Sequence, residues 1–191
     1  MAMPAVKRRW TAAEVRQLIA DNPLYTPRYE LVDGELLVTS SPSATHQAAV
    51  QYLWLALAEY LARNPVGTAF VSPLEVELER EVLVQPDVLV VPPHEAIRIR
   101  REMPVRELLL AAEVLSPSSG RFDRVTKRPQ YQRHVSQYWI VDLDARIVER
   151  WTPADERPEV LALGLDWHPE GAQEPLTLDL LAYFARVLGE A

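Results

Sequence analysis

The stretch VQPDVLVV, residues 84–91, decides the reading of this chain, together with ELLLAAEVLS at 107–116. Both are almost uniformly apolar, the pattern of a strand covered on two faces. Each carries an acid in that setting: Asp87 where the first apolar run begins, Glu113 inside the second. An unpartnered carboxylate is costly to bury. Either each acid is satisfied by a cation, Lys127 or an arginine, or the two serve chemistry.

Working outward, the chain offers a cation for them. All but two of its 20 basic residues are arginines; the lysines are Lys7 and Lys127. Lys127 falls in Asp123–His134, read as a helix with Pro129 near its middle. Two registers are open. Pro129 kinks a helix begun at Asp123, or it takes the first turn of a helix starting just after Lys127, where proline is tolerated.

Elsewhere, Thr11 precedes AAEVRQLIA with Glu14 three residues on, a capping box. YELVDGELLVTS at 29–40 reads as a hairpin turning at Asp33-Gly34. Ser43 to Arg63 is a helix, with Val50, Leu53, Trp54, Leu57 and Leu61 as one apolar stripe. GTAFVSPLEVELE at 67–79 and VLVQPDVLVV at 82–91 read as one strand each, the second stopped by Pro92-Pro93. Residues 94–107 read as a polar loop or short helix, and Pro117 ends the strand that holds Glu113. SQYWIVDL and ARIVERW form a second hairpin, EVLALG a further strand, and Asp179 caps a final helix, LLAYFARVL.

The order predicts an α/β fold, a mixed sheet flanked by helices. A chain of 191 residues suits one domain. Its core is expected at about 43–151, preceded by a helix and hairpin at 11–40 and followed by a loop and helix at 152–191. No apolar run approaches the roughly 20 residues that span a bilayer, and MAMPAVKRRW lacks the apolar stretch of a secretion signal. Zero cysteines exclude disulfides and thiolate chemistry. A cytoplasmic location is expected. The net charge of −7 argues against a broadly basic nucleic-acid coat, but does not exclude an enzyme that holds a divalent metal in an acidic pocket. The arginine groups at 98–106 and 121–133 are read as solvated faces.

Phosphodiester hydrolysis needs a metal to activate water and to neutralise charge on phosphoryl oxygens. Magnesium or manganese prefers oxygen ligands and takes only one or two protein carboxylates. Asp87 and Glu113 on adjacent strands suit that role. Lys127 is then placed to orient the attacking water or to stabilise the transition state as a point charge.

Pro86-Asp87, Glu113-Val114-Leu115, Lys127 with Tyr131, and Tyr138-Trp139-Ile140-Val141-Asp142 resemble the Uma2 family, also called DUF820. Tyr29-Glu30-Leu31-Val32-Asp33-Gly34-Glu35 and Ser41-Pro42 with His46 match it too, so the resemblance runs from about Tyr25 to about Trp151. It implies a restriction-endonuclease-like fold of the PD-(D/E)XK superfamily, whose core is helix, three strands, helix, strand. It implies a magnesium- or manganese-dependent endonuclease acting on DNA, with Asp87 and Glu113 as metal ligands and Lys127 as the third catalytic residue. The superfamily motif would place lysine at position 115, which here is leucine. The resemblance implies that Lys127 substitutes from the next helix. The alternative is a catalytically silent module of the same fold that binds nucleic acid or a protein partner.

Supporting candidates remain open in role. His46 either approaches the metal or a phosphate, or is a hydrogen-bonded histidine at a helix start. Glu30 is either a third carboxylate or a polar position on a half-exposed strand. Ser116 and Tyr131 are read as a turn cap and a packing residue. Asp123 either caps a helix or pairs with Lys127. A homodimer is expected, because cutting both strands needs two sites.

Overall fold

A computed structural model of the protein describes residues 8–24, 26–116 and 119–190. Lys7, Tyr25 and Pro117 lie outside the described residues. The first helix, α1 (Ala12–Ala20), begins as its sequence predicts. Thr11 accepts from the Glu14 N–H, and Glu14 accepts the Thr11 N–H at 2.9 Å. Strands β1 (Arg28–Val32) and β2 (Glu35–Thr39) form the first hairpin. Its turn residues Asp33 and Gly34 have φ of 51° and 81°, the positive values that a tight hairpin turn requires. Next comes α2 (Ala44–Arg63), capped by the Ser43 side chain, which accepts the His46 N–H at 3.2 Å.

The next two stretches differ from the sequence reading. Each predicted strand divides, and its halves enter different sheets. GTAFVSPLEVELE gives β3 (Thr68–Val71) and β4 (Val76–Glu79); VLVQPDVLVV gives β5 (Val82–Val84) and β6 (Val88–Val91). The breaks fall at Pro73 and Pro86, which have no N–H to donate to a continuing ladder. Then follow α3 (Pro93–Ile99), with Pro93 in its first turn, and β7 (Leu108–Val114). A π-helical segment, Phe122–Lys127, runs into α4 (Arg128–His134). The second predicted hairpin is β8 (Val135–Asp142) and β9 (Ile147–Trp151). Short strands β10 (Glu159–Leu161), β11 (Gly164–Trp167) and β12 (Leu176–Asp179) lead to α5 (Leu180–Leu188), which Asp179 caps by accepting from Ala182.

The central sheet has the order β10-β9-β8-β7-β6-β3, with only β7 and β8 parallel. Read along the chain, α2, β3, β6, β7, α4 and β8 reproduce the expected helix, three strands, helix, strand. A smaller sheet, β2-β1-β5-β4, and the β11-β12 ribbon complete the architecture.

Side-chain alternation explains why β6 and β7 are apolar throughout. Val88, Val90, Leu110, Ala112 and Val114 pack with α2 and α5 through Leu53, Leu57 and Phe184. Leu89, Val91 and Ala111 face the other way, onto Val32, Val84, Tyr131 and Tyr138. The α2 stripe is narrower than its sequence suggests. Leu53, Leu57 and Leu61 are buried with Ala49 and Tyr60, but Val50 and Trp54 stay half-buried at its border.

Candidate active site

Asp87 closes the loop between Pro86 and β6. Val88 pairs with Ala112, so Asp87 lies opposite Glu113 at the mouth of the β6–β7 ladder. Both are buried, Asp87 at 3% and Glu113 at 1% exposure. Yet they have different partners. Asp87 Oδ1 accepts from Arg28 Nη1 at 2.7 Å. Its Oδ2 accepts the Val114 N–H at 2.9 Å and lies 3.1 Å from His46 Nε2. Burial alone would push this carboxyl up. The His46 hydrogen bond, the Arg28 charge and the Val114 N–H outweigh burial and hold it well below the usual carboxylate range.

Glu113 belongs to a second group, centred on Lys127. The Lys127 ammonium is 2.8 Å from Glu30 Oε2, 3.1 Å from Glu113 Oε1 and 3.2 Å from Asp123 Oδ1. Tyr131 donates its hydroxyl to the same Glu113 oxygen at 3.0 Å. Its ring stacks on Tyr138, with centroids 4.6 Å apart. Glu30 is further fixed by the Gln85 N–H at 2.8 Å. Burial, then the charges of Asp123, Asp87 and Glu30, push Glu113 well above the normal glutamate range against the pull of Lys127. Asp123 is raised by burial in the same way. Burial opposes the charge on Lys127, but Glu113, Glu30 and Asp123 outweigh it and raise the amine, so the ammonium is a fixed cation. Tyr131 is raised by burial and by Glu113, which keeps its hydroxyl a proton donor.

The chain joins the two registers that Pro129 leaves open. Proline is excluded from a helix interior because its ring meets the carbonyl four residues back. Here that turn is π-helical, with the Arg128 N–H bonded to the Asp123 carbonyl. Pro129 then falls in the first turn of α4, where it is tolerated. The wide turn keeps the segment continuous and leaves the Lys127 ammonium beside both Glu113 and Asp123. Single π turns of this kind occur frequently at functional sites.

The structure therefore gathers all five candidates. Lys127 meets Glu113 and Glu30; His46 meets Asp87. Two readings change. Glu30 is not a half-exposed strand position but fully buried at 0% exposure. Tyr131 is more than packing, since its hydroxyl holds Glu113. Asp123 pairs with Lys127, and Ser116 serves a turn, with its hydroxyl 3.0 Å from that of Ser119. Sequence reasoning passed over Arg28. It is two residues before Glu30 on β1, and period-two alternation places both side chains on one face. Arg28 sits near Glu113 and Glu30 as well as Asp87, and their charges raise its guanidinium further against burial.

The basic groups are mostly engaged. Arg124 bridges Asp142 and Glu149 at 2.7 Å each. Arg128 lies 4.6 Å over Trp151, Arg133 pairs with Glu79, and Arg98 pairs with Glu95. Several clefts reach the Asp87 half of the site. A cleft of about 460 Å³ runs along α2 to Arg28, His46 and Asp87. A neighbouring one of about 300 Å³ brings Ser41, Ser43 and Ser119 to the same Arg28 and His46.

A profile of Uma2, described as "putative restriction endonuclease", matches residues 13–180. The chain belongs to the Uma2 family. Its fold matches a crystal structure described as a putative nuclease belonging to DUF820, from Anabaena variabilis ATCC 29413, which superposes with a TM-score of 0.77. That likeness covers 93% of this chain and 99% of the other at 21% identity. No curated protein matches the chain. Among the described residues of this Uma2 protein, no helix is long and apolar enough to cross a membrane.

Proposed function

We propose that this Uma2 protein is a metal-dependent endonuclease that hydrolyses DNA phosphodiester bonds. The observation that carries the reading is the burial of Asp87 opposite Glu113, with the Lys127 ammonium 3.1 Å from the latter.

The donor set fits magnesium or manganese. Every carboxylate at the site is a hard oxygen donor, the type these ions prefer. Among the described residues, Glu30, Asp87, Glu113 and Asp123 pair with Arg28 and Lys127 as permanent cations. Burial raises Glu113 and Asp123, so a divalent ion would be bound as these acids give up their protons. Among the described residues, no three His, Asp or Glu side chains form a preformed cage, because the centre of the Lys127 group is filled by its ammonium. Asp87 and Glu113 would hold the ion, a count that magnesium accepts. When bound, it supplies charge neutralisation at the phosphoryl oxygens and a more acidic water.

The protein's own groups do the rest. Lys127 contributes a fixed positive charge where negative charge develops, in a site that excludes water and so weakens screening. Tyr131 and Glu30 hold Glu113 and Lys127 in place. Arg28 and His46, which line the cleft, are placed to bind the phosphate once they release Asp87.

Plasmid cleavage with magnesium or manganese tests the reading. Asp87→Asn and Glu113→Gln should each abolish cutting while retaining a cooperative melting transition. Undiminished cutting by both variants would refute it. A second reading, a silent module of the same fold, draws on the engagement of both Asp87 oxygens by Arg28, His46 and Val114. Calorimetric titration with magnesium separates the two, since a silent module gives no saturable binding.

A further inference from the structure

The cleft beside Asp87 is not a polar phosphate groove. Its floor is one face of α2, where His46, Val50 and Trp54 succeed one another at four-residue steps. Gln47 and Gln51 run alongside them, exposed, with their amides at the rim. The opposite wall is Val71, which is 41% exposed, and Pro73. Trp54 is held in place because its indole N–H donates to the Ala69 carbonyl at 3.2 Å. These apolar side chains follow the helical core period, yet they are half-buried where Leu53 and Leu57 are sealed.

We infer that this cleft is a nucleobase subsite, which takes one unstacked base of the substrate strand beside the phosphate that Asp87, Arg28 and His46 face. Four observations point to that occupant. The cleft is continuous with the candidate active site, sharing Asp87, Arg28 and His46. Its volume of about 460 Å³ suits a small planar ligand, within the roughly 300–1,000 Å³ of such sites. A fixed indole with an aliphatic wall opposite offers stacking, which accepts any base because every base has a π-face. Two glutamine amides supply both donors and acceptors for a base edge.

The inference rests on the nuclease reading for its phosphate, but is tested apart from it. The probes are a fluorescently labelled ten-nucleotide deoxythymidine strand and an abasic strand of equal length, which keeps every phosphate. Both are titrated in EDTA against the Glu113→Gln protein, with and without Trp54→Ala. The intact strand should bind about tenfold more weakly once Trp54 is removed, within the range for one stacked base. The abasic strand should lose less than about twofold. Because Trp54 also touches the core, the exposed pair Gln47→Ala and Gln51→Ala is measured in parallel. It should weaken the intact strand selectively too. Equal losses for both strands in both variant sets would overturn the subsite, whether or not the wild-type protein cuts DNA. Selective losses with no cutting by the wild-type protein would retain the subsite and remove the nuclease reading. Absence of binding to either strand would overturn the subsite.

Discussion

Lys127 reaches Glu113 from a different element than the superfamily motif would use. Its Nζ is 3.1 Å from Glu113 Oε1, although fourteen residues separate the two in sequence. Position 115, two residues after Glu113 on the same strand face, holds leucine instead. The ammonium beside Glu113 thus comes from the π-helical turn and not from the strand. There the ammonium also meets two further acids, Glu30 from β1 and Asp123 from the π turn.

That arrangement makes Lys127 a structural residue. Lys127→Met keeps the length and removes the charge. Glu30, Glu113 and Asp123 would then share a buried site with no cation among them. Removing one member of a buried ion pair costs about 3–5 kcal/mol. For a chain of this size that lowers the melting temperature by about 6–20 °C. Calorimetric melting at neutral pH measures it. An unchanged melting temperature would show that the acids do not depend on the ammonium.

Glu113 gives a pH signature. It titrates higher in the folded chain than in the unfolded one, because burial and neighbouring acids favour its protonated form. Its favourable contribution is therefore complete below the ordinary value of 4.5 and fades as pH rises toward the folded value. Glu113→Gln keeps the shape and never ionises. In EDTA, the melting temperature of this variant relative to wild type should climb as pH rises above 4.5. A difference that stays flat or falls there contradicts the raised value.

Much of this site was legible in the chain before folding. Asp87 and Glu113 announce themselves because each interrupts an apolar strand, and Lys127 because lysine is so rare here. The capping box at Thr11, the Asp33-Gly34 turn and the Asp179 cap are local signals, and local signals survive folding. What was not legible is long-range. Arg28 reads as one more arginine until β1 is laid beside β5 and over Asp87. The division of residues 67–79 and 82–91 between two sheets depends on where Pro73 and Pro86 interrupt pairing, and periodicity alone cannot say that a continuing apolar run changes sheets. Trp54 was misread for a related reason. A helical stripe marks the residues that avoid water, and a cleft wall and a core share that composition.

Arg28→Met tests the second half of the site. Asp87 is held low by its partners, and Arg28 supplies the shortest contact among them, at 2.7 Å. A depressed carboxyl contributes stability above its unfolded value, here 3.8, and loses it as pH falls through the folded one. The variant should therefore lose about 3–5 kcal/mol at neutral pH. The loss should shrink in acid, as Asp87 of the variant takes up a proton. Urea denaturation at about pH 7 and about pH 4 measures both. A loss that is equal at the two pH values would mean that Arg28 stabilises by packing and not by its charge.

Pro129 sets the register that brings Lys127 to Glu113. The proline cannot donate to the Val125 carbonyl, and its ring would collide with it in an α-helical turn. The π-helical segment Phe122–Lys127 avoids that collision. Pro129→Ala restores the donor and removes the clash, so the turn is free to tighten into α geometry. A register change of one residue swings a side chain by about 100° around the axis. That is enough to take Lys127 from Glu113 while the helix itself becomes more regular. We expect the variant to melt below the wild-type temperature, because the buried acids lose their cation, and to cut DNA at least about tenfold more slowly, as when a preorganised charge is displaced. Full cutting activity in a variant whose π turn has become α-helical, checked by a crystal structure, would show that catalysis does not need the ammonium beside Glu113.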